Sequence, residues 1–190
     1  MIKGNVTYFE KVGIENTEAT LKLAVEAARE LGIKNIVLAS SDGYTAEMMA
    51  NDIEHEGLTI TVVTSAYGQK EPGSNRMPEE IRSALKEKGF QVCTAAHILS
   101  GVERSMSTLF HGVYPAEIMA YTLRMFGQGV KVCVEIAAMA ADAGYIMSCE
   151  PAVVIGGTAK GADTAVVMRP EVSSKILKTK IDRIICKPIE

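Results

Sequence analysis

Two stretches of this 190-residue chain carry residue types that bind anions. The first, Ser40-Ser41-Asp42-Gly43-Tyr44-Thr45, lies between an apolar run and a helical period. A helix N-terminus leaves its first N–H groups unpaired and carries partial positive charge, so it suits a phosphate. Gly43 would let the backbone approach a ligand, and the hydroxyls of Ser40, Ser41 and Thr45 add donors. Ser41 or Asp42 simply capping the helix is an equal reading, because both are ordinary caps. The second stretch is Gly156-Gly157-Thr158-Ala159-Lys160-Gly161-Ala162-Asp163-Thr164. Gly156 and Gly161 have the spacing of a P-loop, but Ala162 and Asp163 stand where that motif needs Lys and Ser or Thr. This disfavours a nucleoside triphosphatase. The absence of Gly-x-Gly-x-x-Gly disfavours a dinucleotide site as well. What remains is a glycine-rich turn offering N–H groups, Thr158, Lys160 and Thr164.

The elements that must position these loops alternate along the chain. Asn35 to Ala39, Thr59 to Val63, Gln91 to Ala95 and Ala152 to Ile155 read as short buried strands. Thr17 to Leu31, Thr45 to Glu56 and Pro78 to Lys88 read as helices, the first stopped by Gly32 and the last by Gly89. Strand–helix alternation implies right-handed crossovers and a parallel sheet covered on both faces. Thr164 to Met168 follows its predecessor after only seven residues, Gly157 to Asp163. That gap is too short for a crossover, so this strand should run antiparallel. Val6 to Phe9 and Arg183 to Cys186 read as edge strands. Both anion-binding candidates follow strands and fall at the carboxyl edge, where open sheets bind ligands.

Other polar residues join that edge. The loop Ala66 to Met77 is long enough to act as a lid and carries Arg76. The segment after the third core strand carries His97 and Ser100. With Tyr44, Tyr67, Phe110 and Tyr114 it could wall a pocket for a flat ring, and His97 could give a hydrogen bond or move a proton. Glu135 and Asp142 share one face of an apolar helix and read as a solvated pair. Ala137, Ala138, Ala140 and Ala141 suit either close helix packing or contact between copies.

Composition bounds the partners. The formal net charge is −3 with both signs mixed, without the basic face that nucleic-acid binding requires. No signal peptide or membrane-length apolar run appears, so one cytoplasmic domain over residues 1–190 is expected. Cys93, Cys133, Cys149 and Cys186 form no Cys-x-x-Cys pair, and His55, His97 and His111 lack ligand spacing. Neither a metal centre nor a disulfide is expected.

Ile36 to Ala46, with its Ser40-Ser41-Asp42-Gly43-Tyr44-Thr45 loop, resembles the pyruvate kinase C-terminal domain, where a strand leads into Thr-x-Ser-Gly-x-Ser-Ala. Pro151 to Gly157, with Lys160-Gly161-Ala162-Asp163-Thr164, is similar to that domain's last glycine-rich hairpin. The resemblance runs from about Thr17 to Met168, with an insertion at Ile98 to Phe126. It implies a three-layer α/β/α sandwich, with a mostly parallel sheet of order 3-2-1-4-5 and an antiparallel last strand. In relatives with a sugar-bisphosphate effector these two loops hold its phosphates. Here Asp42 replaces a Ser and Tyr44 a frequent Arg, which bears against a bisphosphate. The chain looks most like small stand-alone relatives of this domain, with which flavin mononucleotide (FMN) is associated.

The resemblance therefore implies FMN as ligand, its phosphate on the two loops and its ring against Tyr67, His97, Ser100 and Tyr114. It also implies that the chain is not a pyruvate kinase, because the catalytic barrel is absent from these residues. A flavin-dependent or phosphometabolite enzyme and a non-catalytic module sensing a phosphorylated metabolite both fit.

Overall fold

The structure, a computed structural model, describes residues 4–189. In chain order its elements are β1 (Thr7–Phe9), α1 (Thr17–Leu31), β2 (Asn35–Ala39), α2 (Tyr44–Asp52), β3 (Thr59–Thr64), α3 (Glu79–Glu87) and β4 (Gln91–Thr94). There follow α4 (Val102–Phe110), α5 (Pro115–Arg124), α6 (Gln128–Asp142), β5 (Ala152–Gly156), β6 (Thr164–Arg169) and β7 (Lys180–Pro188). Short 3-10 turns occupy Ile14–Asn16 and Ser173–Lys178.

Local chemistry sets the boundaries. α1 stops at Gly32, whose φ of 66° is left-handed and whose N–H donates to the carbonyls of Ala28 and Arg29. α2 is shorter than its apolar period suggests, because the chain turns extended at Ile53.

The seven strands form one sheet in the order β1-β7-β6-β5-β2-β3-β4. Its core, β4-β3-β2-β5-β6, is the expected 3-2-1-4-5 arrangement. β2, β3, β4 and β5 are parallel, while β6 runs antiparallel to β5 with Ala152 opposite Met168 and Gly156 opposite Thr164. β7 differs from the expectation of an edge strand. It lies between β6 and β1, antiparallel to the first and parallel to the second. Ile185 and Cys186 on β7 are buried, so the sheet continues past them and β1 forms its margin.

Side chains alternate across the pleat, as strand geometry dictates. Ile36, Leu38, Val153 and Ile155 face one core with Leu21 and Ala28 of α1, Met49 of α2 and Leu85 of α3. Val37, Val63 and Val154 face the other, against Cys133, Ala137 and Ala140 of α6. The result is the α/β/α sandwich. Each such fully buried aliphatic side chain contributes roughly 1.5–3 kcal/mol of transfer free energy.

α6 is buried along nearly its whole length, as a helix that is apolar all round must be. Ala137, Ala138 and Ala140 are buried inside the chain, which assigns them to helix packing rather than to contact between copies. The insertion is not a loop around a pocket. It folds into two helices, α4 behind Gly101 and α5 behind Tyr114 with Pro115 in its first turn. No helix among the described residues is long and apolar enough to cross a membrane.

Candidate functional site

At the carboxyl edge of the sheet lies a cleft of about 290 Å³. Ser40, Ser41, Asp42 and Thr45 form one wall, and Gly157, Ala159, Lys160 and Gly161 another. Thr64, Ser65, Arg76, His97, Gln128 and Glu135 complete its polar lining. β2 has β3 on one side and β5 on the other, so the cleft opens where the strand order reverses.

The loop after β2 is fixed by its own side chains. Asp42 Oδ1 accepts from the Tyr44 N–H at 3.1 Å, and Ser40 Oγ accepts from the Ala46 N–H at 3.3 Å. Asp42 thus closes a turn on the first residue of α2, whose N-cap position is Gly43 and carries no side-chain cap; Ser41 makes no such bond. Gly43 adopts φ 104°, and a Cβ there would lie 2.9 Å from the Ile81 side chain. Its backbone conformation and the packing of α3 require the glycine. Gly43 does not line the cleft.

The loop after β5 is tied to the start of α1. Asp163, wholly buried, accepts from the N–H groups of Gly13 at 3.3 Å and Thr158 at 3.1 Å, and from the Thr164 hydroxyl at 2.8 Å. Thr17 Oγ1 accepts from the Ala162 N–H at 3.0 Å. Gly156 serves packing rather than ligand contact, because a Cβ on it would lie 2.6 Å from the Gly129 carbonyl of α6. Thr158 and Thr164 are likewise occupied in holding the loop.

The two loops meet. Lys160 Nζ lies 3.5 Å from Asp42 Oδ2 and 5.1 Å from the centre of the Tyr44 ring. This pairing offsets the acidic charge that stood against phosphate in the sequence. Arg76 also reaches the cleft, positioned by Asn75, whose amide donates to the Ser65 carbonyl at 2.7 Å and whose Oδ1 accepts from Met77 N–H at 2.9 Å. Among the described residues Arg76 has no ion-pair partner.

The floor holds a buried charged network on α6. Glu135, 3% exposed, accepts from Lys131 Nζ at 2.5 Å and from the Leu99 N–H at 3.0 Å. His97 Nδ1 lies 3.6 Å from the same carboxylate, beyond hydrogen-bond distance. Burial alone would raise the Glu135 carboxyl, but the His97 ring and the Lys131 ammonium outweigh it and bring it down to about 2. Glu135 is therefore an ionised floor, not one half of a solvated pair. Asp142 sits apart, accepting from the Ser173 N–H at 2.9 Å. The other ring nitrogen of His97, Nε2, is buried and has no hydrogen-bond partner among the described residues.

Of the proposed ring-binding residues only His97 lines the cleft. The Tyr67 hydroxyl accepts from Arg82 at 2.8 Å, Ser100 closes a turn on the His97 carbonyl, and Tyr114 precedes α5. Phe110 is exposed on α4. Phe110 and Tyr114 are set apart because the insertion is helical, whereas Tyr67, outside it, is held by Arg82. Thr64, Ser65 and Gln128 are lining residues that sequence reasoning passed over, and Glu135 was read as solvated rather than as part of the floor. The signal for Glu135 was Lys131, four residues earlier on an otherwise apolar helix, the spacing of a paired charge.

The model of the family described as pyruvate kinase, alpha/beta domain, matches residues 18–168. A pyruvate kinase of Lactobacillus delbrueckii subsp. bulgaricus is 32% identical over 95 residues, or 43% of this chain and 16% of that protein. A crystal structure of a pyruvate kinase from Cryptosporidium parvum covers 86% of this chain and 24% of its own, at 16% identity and TM-score 0.43. A second structure from that organism, pyruvate kinase in complex with ADP, covers 84% and 24% at 16% identity and TM-score 0.40. The chain thus spans no more than 24% of the length of these relatives.

These findings correct two expectations. The matching family is that of a pyruvate kinase domain, and of the residues expected around a flavin ring only His97 lines the cleft, so nothing here supports the assignment of FMN. The exclusion of pyruvate kinase rested on a barrel missing from 190 residues, and residues matching so small a share of a relative decide nothing about the rest. Matched by the family model over most of its length, the chain belongs to the pyruvate kinase alpha/beta domain family.

Proposed function

We propose that the cleft receives a phosphate-bearing small molecule between the loop after β2 and the loop after β5. The observation that carries this is Arg76, a cation without an ion-pair partner among the described residues, set beside the hydroxyls of Ser40, Ser41 and Thr45 at the reversal of strand order. A guanidinium recognises phosphate by paired N–H donors, and hydroxyls complete the shell. Lys160 is engaged with Asp42, so Arg76 supplies the free positive charge.

The cleft also limits what enters. A volume of about 290 Å³ lies at the small end of ligand pockets and is too little for a dinucleotide. At the floor Glu135, already paired with Lys131, adds no free positive charge for a second anionic group and can accept from a hydroxyl or amino group. A monophosphate with a neutral polar end fits both conditions better than a bisphosphate.

Calorimetric titration with a hexose monophosphate, the matching bisphosphate and the free hexose tests this. The monophosphate should bind tightest. Arg76→Ala should weaken it about 10- to 100-fold, the range for a charge-assisted hydrogen bond. Equal affinity for phosphorylated and free sugar, or an unaltered Arg76→Ala variant, would refute the reading.

A further inference from the structure

Arg76 and Lys160 both line the cleft, yet their charges are not equally available. Lys160, on the loop after β5, lies 3.5 Å from Oδ2 of Asp42, on the loop after β2. The other carboxylate oxygen, Oδ1, accepts from the Tyr44 N–H at 3.1 Å, so the backbone of its own loop holds the Asp42 side chain in place. The Tyr44 ring centre is 5.1 Å from the Lys160 ammonium, within cation–π range, and gives the lysine a second contact at the mouth. At the floor Lys131 matches Glu135. Among the charged residues that line the cleft, Arg76 alone is left unmatched by an ion pair among the described residues.

We infer that Asp42 sets the charge the cleft accepts, cancelling Lys160 and so restricting the site to a ligand with a single phosphate. This rests on the reading of the cleft as a phosphate site and adds the residue that decides the ligand's charge. The pair is partly exposed, Lys160 by 58% and Asp42 by 39%, so its bond is weak and an arriving phosphate can draw the lysine away. The cancellation survives that exchange. Lys160 taken from Asp42 leaves a bare carboxylate at the same mouth, whose repulsion offsets the attraction gained. A first phosphate meets Arg76 and the hydroxyls of Ser40, Ser41 and Thr45. A second needs a cation of its own, and the one nearby is already neutralised. Asn at position 42 keeps the shape of the loop, because an amide oxygen accepts from the Tyr44 N–H as the carboxylate does, and the Tyr44 ring still holds the ammonium.

Calorimetric titration of four proteins with a hexose monophosphate and the matching bisphosphate separates charge from shape. Asp42→Asn should raise bisphosphate affinity relative to monophosphate about fivefold at low salt, the size of one partly exposed charge contact. Lys160→Met should lower that ratio. Asp42→Asn/Lys160→Met should return it to the wild-type value, since the pair again carries no net charge. In ~1 M salt, where the Debye length is about 3 Å, the gain in Asp42→Asn should disappear. An unchanged ratio in Asp42→Asn overturns the inference, and so does a gain that persists without Lys160 or in high salt. A wild type that binds phosphorylated and free hexose alike, with Arg76→Ala unaltered, overturns the phosphate site itself and this inference with it.

Discussion

At Glu135 the balance between burial and compensation can be read as acid stability. Its folded pKa of about 2 lies below the ordinary 4.5, so the unfolded chain binds the proton more readily than the folded one. The contribution is therefore fully present above about pH 4.5 and disappears as pH falls toward 2, amounting to on the order of 3 kcal/mol. Glu135→Gln removes it and leaves Lys131 buried beside a neutral amide, at a cost of about 3–5 kcal/mol. The variant should lose stability at pH 7 and show a flatter acid limb, while Lys131→Met/Glu135→Leu should regain most of the loss. Urea midpoints at pH 7 and pH 3 read both effects, and equal slopes for wild type and Glu135→Gln would exclude an ionised floor. Ser40, Asp42 and Lys160 were legible as residues of the cleft because their loops follow apolar runs. Whether each faces the ligand or the backbone was not legible, since an Asp that caps and an Asp that binds have the same neighbours in sequence.

The loop between β5 and β6 is an element held by one side chain. Asp163 takes two backbone N–H groups and a hydroxyl, so Asp163→Ala strands three buried or half-buried donors at once. At ~1 kcal/mol for each lost bond, with added cost for donors left dry, the loss should be about 2–4 kcal/mol. Denaturant unfolding measures it, and amide exchange at Gly13 and Thr158 should quicken more than elsewhere; a loss under ~1 kcal/mol would show that the loop holds by other means. Elements with strong punctuation were readable. α1 keeps its sequence-read span because Gly32 must end it, and the short link after Gly156 left β6 no option but to turn back. The insertion was not readable, because Val102, Leu109 and Phe110 look alike whether they line a pocket or face solvent. Only the polar bonds of Glu103 and Ser107 show which side points inward.

For the whole molecule, the central strand order was legible through the resemblance to the pyruvate kinase C-terminal domain, and connection length gave the antiparallel turn of β6. The placement of β7 did not follow, because two strands that lack a neighbour in sequence can be paired in several ways. The fold joins them: Thr7 lies opposite Cys186, and Phe9 opposite Pro188. That contact has a consequence in time. β1 has β7 as its sheet neighbour, and nearly the whole described chain separates the two, so its pairing must wait for loop closure over the longest span available. Three residues long and with Tyr8 57% exposed, it offers little to keep the contact once formed. Amides of Thr7 to Phe9 should exchange well before those of β2 and β5, and in refolding they should gain protection in the slowest phase. Simultaneous protection across all seven strands would contradict this. The margin where early and late chain meet would then be the last seam to close and the first to open.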